Sequence, residues 1–442
     1  MSAPALSPAT RAAIEGWTRA PAPLLLTGGV QNYAWGQRNA AAIIPRLLGV
    51  AAESDRPYAE LWLGAHPVLP ATVTVNGVVV NLIDLIAAAP AFVLGQTCLE
   101  TFGPQLPFLM KVLAAAHPLS IQAHPNRAQA EAGFAREEAT GIPLQAAHRM
   151  YRDRNHKPEL IVALDEFVAL KGFRPVEDIQ ATFARAPELA PLLRAPAPPT
   201  SDGVDARSAW LRALFTHLLS PAAVEVDVAL AAWLRRLEVE DRAQSLSDGQ
   251  PAYWVRRAAQ TLGAATAATA APDRGLLAFC LLNLVHLRPG QALFLGPGDL
   301  HAYLEGSGIE VMANSDNVLR GGLTPKPIDV EALIATLTFD AGTPQILNAA
   351  ADGHYNTPAK EFVTARLALP SGGVVTLTGA RGADIVLLLE GHGQLADTLA
   401  RAGQAFLIPA GLGSYRLTAG DTGLLAFRTT TAPPHDWSLL PR

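Results

Sequence analysis

A single change of pattern constrains the fold of this chain more than any other feature. Residues 24–175 and the residues after 273 consist of short runs rich in β-branched and apolar side chains, separated by glycine, proline and asparagine, which is typical of strands and turns. Between them, residues 176–273 place apolar side chains at helical spacing, as in VDVALAAWLRRLEVE. Helices inserted between two β-rich stretches indicate a β domain that the chain leaves once and then re-enters.

The last part of the chain predicts a second β domain. Residues 346–442 are built from short β-type runs and turn residues, a spacing typical of a sandwich or barrel. A chain of 442 residues is also expected to form several domains. The predicted fold class is mainly β with an inserted α-helical module, and the predicted divisions are an N-terminal segment (1–23), a discontinuous β domain (24–175 and 274–345), a helical insertion (176–273) and a C-terminal β domain (346–442).

One internal repeat links the two predicted β domains. It aligns PGQALFLGPGDLHAYL (Pro289–Leu304) with AGQAFLIPAGLGSYRL (Ala402–Leu417) without gaps, so that His301 is matched by Ser414. Both segments read as Gly-Gln-Ala, an apolar strand, a glycine turn and a second strand. A generic strand–turn–strand pattern would explain the likeness. The alternative explanation is two related β domains, one with a histidine at its working position and one without it.

Three local signals predict individual features. The Asn76-Gly77 pair in ATVTVNGVVVNL predicts a β-hairpin. Asn126 precedes a helical pattern and is a typical N-cap residue. Cys98 and Cys280 lie in apolar runs, which favours buried free thiols over a disulfide.

Charge and hydropathy exclude several classes of protein. The net charge is −5 and no run is rich in lysine or arginine, so the electrostatic footprint of a nucleic-acid-binding protein is absent. Arg11 and Glu15 interrupt the N-terminus before a secretory apolar region could form. No apolar run is long enough to span a membrane, and the run GLLAFCLLNLVHL is stopped by His286 and Arg288. We therefore expect a cytoplasmic protein, and a local basic cluster could still bind an anionic small molecule.

Polar residues at the ends of predicted strands form a candidate metal site. In PLSIQAHPN, Gln122 and His124 are two residues apart, so on a strand both would point to the same face. Glu159 begins a strand directly after Pro158, and His301 follows the turn GPGD. Histidine nitrogens and carboxylate oxygens are ligands that zinc and similar ions prefer.

Spacing alone leaves this assignment open. A single histidine in a β stretch is more often a hydrogen-bonded core or rim residue than a metal ligand, and Glu159 could simply pair with Lys157. His66, His117 and His156 would be equally eligible as ligands.

Longer strings in the sequence resemble type I mannose-6-phosphate isomerase, a family of zinc enzymes with a cupin fold. The likeness covers residue 24 to about residue 337, and beyond Asp340 it is mainly architectural. It implies two cupin-type jelly-roll barrels plus a helical domain, with no metal site in the second barrel. The insertion is shorter than in eukaryotic members. The strings that carry the resemblance are QNYAWG, YAELWLGAHP, LPFLMKVLAAAHPLSIQAHPN, NHKPELIVAL and HAYLEGSGIEVMANSDNVLRGGLTPK.

The resemblance also implies roles for individual residues. It implies one zinc ion per chain, with the ligands Gln122, His124, Glu159 and His301. It places catalytic groups at Arg320, Lys157, Glu310 and Asp316. It places substrate- and phosphate-binding groups at Trp35, Lys111, Ser120, Tyr303 and Lys326. His66, His117 and His148 match no ligand of the family.

The implied activity is a zinc-dependent interconversion of mannose 6-phosphate and fructose 6-phosphate through a cis-enediol. Arg320 is suited to the negative charge of such an intermediate. The proton could be moved by Lys157, Glu310, Asp316 or a zinc-bound water. The expected partner is a small sugar phosphate. We expect the protein to be a monomer and to act in mannose metabolism.

Two other functions of cupin proteins stay open as alternatives. A non-catalytic sugar-phosphate-binding protein would be expected to lose Arg320 or a ligand, and the matched positions are intact. A metal-dependent cupin oxygenase usually has a histidine-rich ligand set, whereas Gln122 is a neutral, oxygen-type ligand.

Overall fold

A computed structural model describes residues 6–194, 203–263, 271–379 and 382–432. Within these ranges the chain forms twelve α-helices. They are α1 (Pro8–Arg19), α2 (Ile43–Leu47), α3 (Leu82–Ala88), α4 (Pro90–Leu94), α5 (Gln96–Phe102), α6 (Arg127–Ala139), α7 (Val176–Ala184), α8 (Val204–Leu219), α9 (Val224–Arg242), α10 (Pro251–Gly263), α11 (Ala278–Leu281) and α12 (Val330–Thr336). Short 3-10 helices span Asn39–Ala41, Ala190–Arg194, Arg274–Leu277 and Ala410–Leu412.

The same residues form twenty-one strands. They are β1 (Leu24–Thr27), β2 (Gly29–Gln31), β3 (Glu60–Gly64), β4 (Thr72–Val75), β5 (Val78–Asn81), β6 (Phe108–Ala115), β7 (Ile121–Ala123), β8 (Glu159–Ala163), β9 (Phe167–Phe173), β10 (Leu282–Leu287), β11 (Gln291–Leu295), β12 (His301–Ala313), β13 (Leu319–Gly322), β14 (Leu347–Asn348), β15 (His354–Tyr355), β16 (Val363–Leu369), β17 (Val374–Thr378), β18 (Asp384–Leu395), β19 (Thr398–Arg401), β20 (Ala405–Ile408) and β21 (Ser414–Thr430). The prediction of a mainly β chain with several helices is confirmed.

The strands form two sheets. The first has eleven strands and runs β14-β11-β8-β12-β6-β3-β2, with β7, β9, β10 and β13 joined to it through β12. The second has ten strands and runs β15-β16-β21-β18-β20-β1-β4-β5, with β17 beside β21 and β19 beside β18. Antiparallel pairing places neighbouring side chains of adjacent strands on a common face.

Some pairings cross the predicted divisions of the chain. Strand β1 lies within the predicted first domain, yet Leu24 pairs with Leu407 in the sheet of the C-terminal strands, and β4 and β5 follow β1 into that sheet. Conversely, β14 lies within the predicted C-terminal domain but joins the first sheet, since Asn348 pairs with Gln291. An alternating pattern identifies a strand but not its partner, which depends on packing between residues far apart in sequence.

The segment between β9 and β10 is helical in its described residues. Helices α7 to α10 follow one another there, and their apolar faces share one core with the first sheet, in which Leu211 and Trp233 join Phe173 and Leu300. Among the described residues no single helix is long and apolar enough to cross a membrane. Helices α8 and α9 reach that length and apolarity only as a pair, and they are bent by 80° at the break between them.

The local predictions are confirmed. Val75 pairs with Val78 across Asn76 and Gly77, whose φ angles of 44° and 82° suit the tight turn of a hairpin. Asn126 caps α6, because its side chain accepts from the backbone N–H of Gln129. Both cysteines are buried free thiols.

Strand β12 is the element that organises the first sheet. Its first half, from His301, pairs with β7 and β9, and its second half, from Gly306, pairs with β6 and β8. The strand changes partners at Gly306, which has a φ of 118° and lies so close to β9 that an added Cβ would be 2.6 Å from the carbonyl oxygen of Glu166. Only glycine fits this position without strain.

The repeated segments occupy equivalent places in the two sheets. Strand β11, a turn and β12 follow in the first repeat, and β20, a turn and β21 follow in the second. His301 is the first residue of β12 and Ser414 is the first residue of β21, as the alignment predicts. His301 is buried, whereas Ser414 is exposed.

Candidate metal centre

Three of the predicted ligands converge. His124 follows β7, Glu159 begins β8 and His301 begins β12. The Nε2 atoms of His124 and His301 lie 3.3 Å and 3.5 Å from the two carboxylate oxygens of Glu159. One ligand atom from each residue can be chosen so that all three lie within 4.8 Å of one another, and all three side chains are buried.

The hydrogen bonds of the two histidines leave their Nε2 atoms free for a metal. The Nδ1 atom of His124 bonds the carbonyl oxygen of Asn317 at 2.6 Å, and that of His301 bonds the carbonyl oxygen of Asp299 at 2.9 Å. A carbonyl can only accept, so each Nδ1 carries a proton, which in the neutral ring leaves the lone pair on Nε2. Both Nε2 atoms and Oε2 of Glu159 are buried without a hydrogen-bond partner. Such orphaned acceptors fit a bound cation.

The protonation states are also those that a metal requires. Burial, which outweighs the attraction of Glu159, lowers the pKa of His124 to about 4, so the ring is neutral near pH 7. Burial alone would raise the pKa of Glu159, but the Lys157 ammonium and the His124 ring hold it well below its usual range. Neutral imidazoles and an ionised carboxylate are the ligand forms that bind zinc.

Gln122 is adjacent to this group by register. On β7 it is directly opposite His301 of β12 on one side and Arg320 of β13 on the other. Directly opposed residues of antiparallel strands share a face. The structure therefore brings Gln122, His301 and Arg320 to one face of the sheet, and the role of Gln122 as a fourth ligand stays a prediction.

Asn317 connects two segments of the metal site, and the sequence analysis did not predict a role for it. It is fully buried, and its amide nitrogen donates to the carbonyl oxygens of Asp153 and Asn155 at 2.9 Å and 2.8 Å. Its side-chain oxygen accepts from the backbone N–H of Arg152 at 2.7 Å. The same residue supplies the carbonyl that fixes His124, so the segment before β8 and the segment before β13 are held as one unit. The sequence signal that could have identified Asn317 is its place in the string SDNVLRGG.

A second buried group lies on three neighbouring strands. Lys111 of β6 lies directly opposite Trp62 of β3 on one side and Glu310 of β12 on the other. The Nζ atom of Lys111 lies 2.8 Å from Oε2 of Glu310 and 3.4 Å from Oε1 of Glu60, and Trp62 donates its indole N–H to Glu60 at 2.7 Å. Burial alone would lower the pKa of Lys111, but Glu310 and Glu60 raise it above its usual range. Burial raises the pKa of Glu310, against the effect of Lys111.

The other predicted substrate-binding residues lie around these two groups. Tyr303 is buried, and burial together with the Glu310 carboxylate raises its pKa well above the usual range. Trp35 is half-buried, stacks on Tyr33 at a centroid distance of 5.7 Å and packs against the core cluster that contains Tyr303. Ser120 is half-buried and immediately precedes β7.

Three cations lie near one another at the edge of the site. Burial and the charge of Arg152 lower the pKa of Arg320. Burial, then the charges of Arg320 and Arg152, lower the pKa of Lys326. None of the three has a carboxylate within salt-bridge distance among the described residues. Arg152 also helps to lower the pKa of the Asp316 carboxyl. Three neighbouring cations without a carboxylate at salt-bridge distance favour the binding of an anion.

The remaining predicted residues contact one another or the metal ligands. Lys157 is buried, and its Nζ atom lies 3.2 Å from Oε1 of Glu159. Asp316 is 39% exposed, and its Oδ1 atom lies 3.3 Å from Nε2 of His66. Burial alone would raise the pKa of Asp316, but the contact with His66 lowers it below the usual value. His66, which matches no ligand, therefore contacts a predicted catalytic residue.

Comparison with known proteins points to one family. A family model described as phosphomannose isomerase type I, catalytic domain, matches residues 24–176. Mannose-6-phosphate isomerase from Salmonella typhimurium is 42% identical over 320 residues, which are 71% of this chain and 74% of that protein. Mannose-6-phosphate isomerase from Rattus norvegicus is 36% identical over 321 residues, which are 70% of this chain and 71% of that protein. A crystal structure of mannose 6-phosphate isomerase with zinc bound has a TM-score of 0.77 and 34% identity, covering 93% of this chain and 100% of that chain.

Proposed function

The chain belongs to the type I mannose-6-phosphate isomerase family, and we propose that it interconverts mannose 6-phosphate and fructose 6-phosphate through a cis-enediol intermediate. It is an enzyme of this aldose–ketose isomerase family, and its cofactor is one zinc ion. The observation that carries the proposal is the buried group of His124, Glu159 and His301, with its free ligand atoms. His301 of this group lies opposite Gln122, which in turn lies opposite Arg320. Assay of both sugar phosphates before and after zinc removal tests it.

Zinc would be held by His124, Glu159 and His301, with Gln122 as the proposed fourth ligand. When bound, the ion supplies a Lewis acid that can polarise or orient two neighbouring sugar oxygens. The protein supplies the rest of the environment, because the ligands are buried and Asn317 and Asp299 fix the two imidazole rings. Such fixed dipoles and charges stabilise a transition state without reorganising.

Arg320 is proposed to stabilise the negative charge of the enediolate. Gln122 lies between Arg320 and His301 and is directly opposite both, so the three side chains share one face of the sheet. A guanidinium offers a planar set of donors that suits two adjacent oxygens.

Glu310 is proposed to take part in the proton transfer between C1 and C2. A general base works best when its pKa lies near the operating pH, and burial raises the pKa of Glu310 in that direction. Lys111 is in contact with it at 2.8 Å and, with a raised pKa, stays protonated and holds the Glu310 carboxylate in place. Asp316 has a lowered pKa and is better suited to remain ionised. Lys157 beside Glu159 stays a further candidate.

The phosphate group is proposed to bind at the cation cluster of Arg152, Arg320 and Lys326, with Ser120 as an additional donor. A phosphate dianion would compensate the repulsion among these three side chains. Lys111, the other predicted phosphate ligand, is already compensated by two carboxylates, and these would repel a phosphate. The geometry therefore favours a role of Lys111 in positioning Glu310 over a role in phosphate binding.

For the architecture, we propose that each sheet forms a cupin-type jelly-roll barrel and that residues 176–273 form a helical insertion domain packed on the first sheet. The repeat of β11–β12 in β20–β21 supports related barrels, and Ser414 in place of His301 supports a second barrel without a metal site. A monomeric state and a cytoplasmic location remain predictions.

A further inference from the structure

One contact between a histidine and a buried carboxylate joins the C-terminal sheet to the segment that carries the metal site. Glu361 lies just before β16 of the ten-stranded sheet, and His156 lies just before β8 of the eleven-stranded sheet. The Nε2 atom of His156 is 2.6 Å from Oε1 of Glu361. Glu361 is only 4% exposed, so its carboxylate needs a partner at this position. Burial alone would raise the pKa of Glu361, but the contact with His156 lowers it below the usual value.

The second oxygen of this carboxylate is also fixed. Oε2 of Glu361 accepts from the backbone N–H of Lys360 at 3.2 Å. A carboxylate bound at both oxygens has a defined orientation, and so does the imidazole that it contacts. The contact spans 205 positions in the sequence, which is why sequence patterns gave no sign of it.

The segment that His156 begins is short and contains two groups of the proposed site. Lys157 follows directly, Pro158 has no backbone N–H to donate, and Glu159 is a metal ligand whose Oε1 atom is 3.2 Å from Nζ of Lys157. On the preceding side, the carbonyl of Asn155 is held by the amide of Asn317 at 2.8 Å. Glu361 therefore holds the segment at His156, through a side chain that lies just before β16 of the other sheet.

We propose that Glu361 is a positioning residue for the isomerase reaction, acting through His156 to hold Lys157 in place beside Glu159. This inference rests on the proposed function. This gives the C-terminal part of the chain a role in the reaction. It supplies the Glu361 carboxylate, and without this carboxylate the His156 side chain before β8 would no longer be fixed.

The test is a double-mutant cycle in the zinc-replete full-length enzyme. Glu361→Ala is expected to lower kcat roughly 10- to 100-fold, because small displacements of a catalytic group have effects of this size. Zinc content and KM should stay close to the wild-type values. Glu361→Gln keeps the shape and one acceptor oxygen, so it should fold and show a smaller loss. His156→Ala should match Glu361→Ala, and the double variant should be no worse than either.

A matched control comes from the same C-terminal part of the chain. His354 and Asp352 form a comparable pair with a distance of 3.1 Å, but the Asp352 side chain is 70% exposed. Asp352→Asn should leave kcat unchanged. If Glu361→Ala retains wild-type kcat, or if the losses of Glu361→Ala and His156→Ala add, the inference is overturned. If the zinc-replete wild-type enzyme shows no isomerase activity, the proposed function fails, and the inference fails with it.

Discussion

His66 directs its Nε2 atom at the Oδ1 atom of Asp316, 3.3 Å away, and the tautomer of His66 is fixed by its other nitrogen. The Nδ1 atom accepts from the backbone N–H of Val68 at 3.2 Å, so the proton must be on Nε2, facing the carboxylate. His66 is 3% exposed and its ring packs edge-on against Trp62 at a centroid distance of 4.8 Å. The buried His66 ring thus helps to hold Asp316 in its ionised form.

Replacing His66 with phenylalanine should change the pH dependence of the reaction without removing zinc. The ring packing against Trp62 is kept, but the donor to Asp316 is lost, so the pKa of Asp316 should rise. If ionised Asp316 is needed, the acidic limb of the kcat/KM profile should move to higher pH, with a loss of less than about tenfold near pH 7. The measurement is a pH–rate profile with zinc analysis.

The same substitution should alter stability in acid. A carboxyl with a depressed pKa contributes stability above its unfolded-state pKa and loses it as the pH falls through the folded-state value. This contribution of Asp316 should be smaller in His66→Phe. His148, which is exposed, provides the control, and His148→Phe should change neither profile. Loss of zinc from His66→Phe, or an unmoved acidic limb, would contradict this account of His66.

His124→Ala and His301→Ala should each abolish zinc binding and activity. Each substitution removes one of three converging ligands and leaves a buried carboxylate without that partner. Elemental analysis should give about one zinc per chain for the wild type and far less for both variants. His148→Ala should keep its zinc. Retention of full zinc occupancy by His124→Ala would show that the ligands have been assigned to the wrong residues.

Asn317→Ala should weaken zinc binding although Asn317 is not a ligand. The carbonyl that orients His124 is retained, but the segment loses the side-chain bonds to Asp153, Asn155 and Arg152. Outer contacts of this kind typically contribute 10- to 100-fold to metal affinity. Buried groups left without partners should also lower the free energy of unfolding by about 1–3 kcal/mol. Competition with a chelator and denaturant titration measure both effects, and wild-type zinc affinity would be the contrary result.

Arg320→Ala should keep zinc and the fold but lose rate. If the guanidinium acts chiefly on the enediolate, kcat should fall by about 10²–10³ while KM changes little. The neighbouring charges of Arg152 and Lys326 suggest a competing role in phosphate binding. A near-normal kcat with a greatly raised KM in the zinc-replete variant would move Arg320 from catalysis to phosphate recognition.

The sequence was sufficient for the parts of the site that follow from short motifs. Turn chemistry was sufficient for the hairpin at Asn76-Gly77, which the structure confirms. Strand periodicity also predicts that Gln122 and His124 point to one face, and this stays a prediction, since β7 ends at Ala123. The matching of His301 with Ser414 predicted that both begin a strand, which the structure confirms. Each of these features depends on residues within one short segment.

Features that depend on strand partners could not be read from the sequence. Glu60 joins Lys111 and Glu310 only because β3, β6 and β12 are neighbours in one register. Strand β1 pairs in the C-terminal sheet although its residues are far from β20 in sequence. An isolated acidic residue or an alternating run has many possible partners, and packing over the whole fold selects among them.

The most direct test of the central claim is the interconversion of mannose 6-phosphate and fructose 6-phosphate by the enzyme as purified, after chelation and after zinc is restored. We expect about one zinc per chain, isomerisation of both substrates, loss of activity in proportion to the zinc removed, and recovery on readdition. A chelated enzyme that keeps full activity, with no metal detected by elemental analysis, would contradict it.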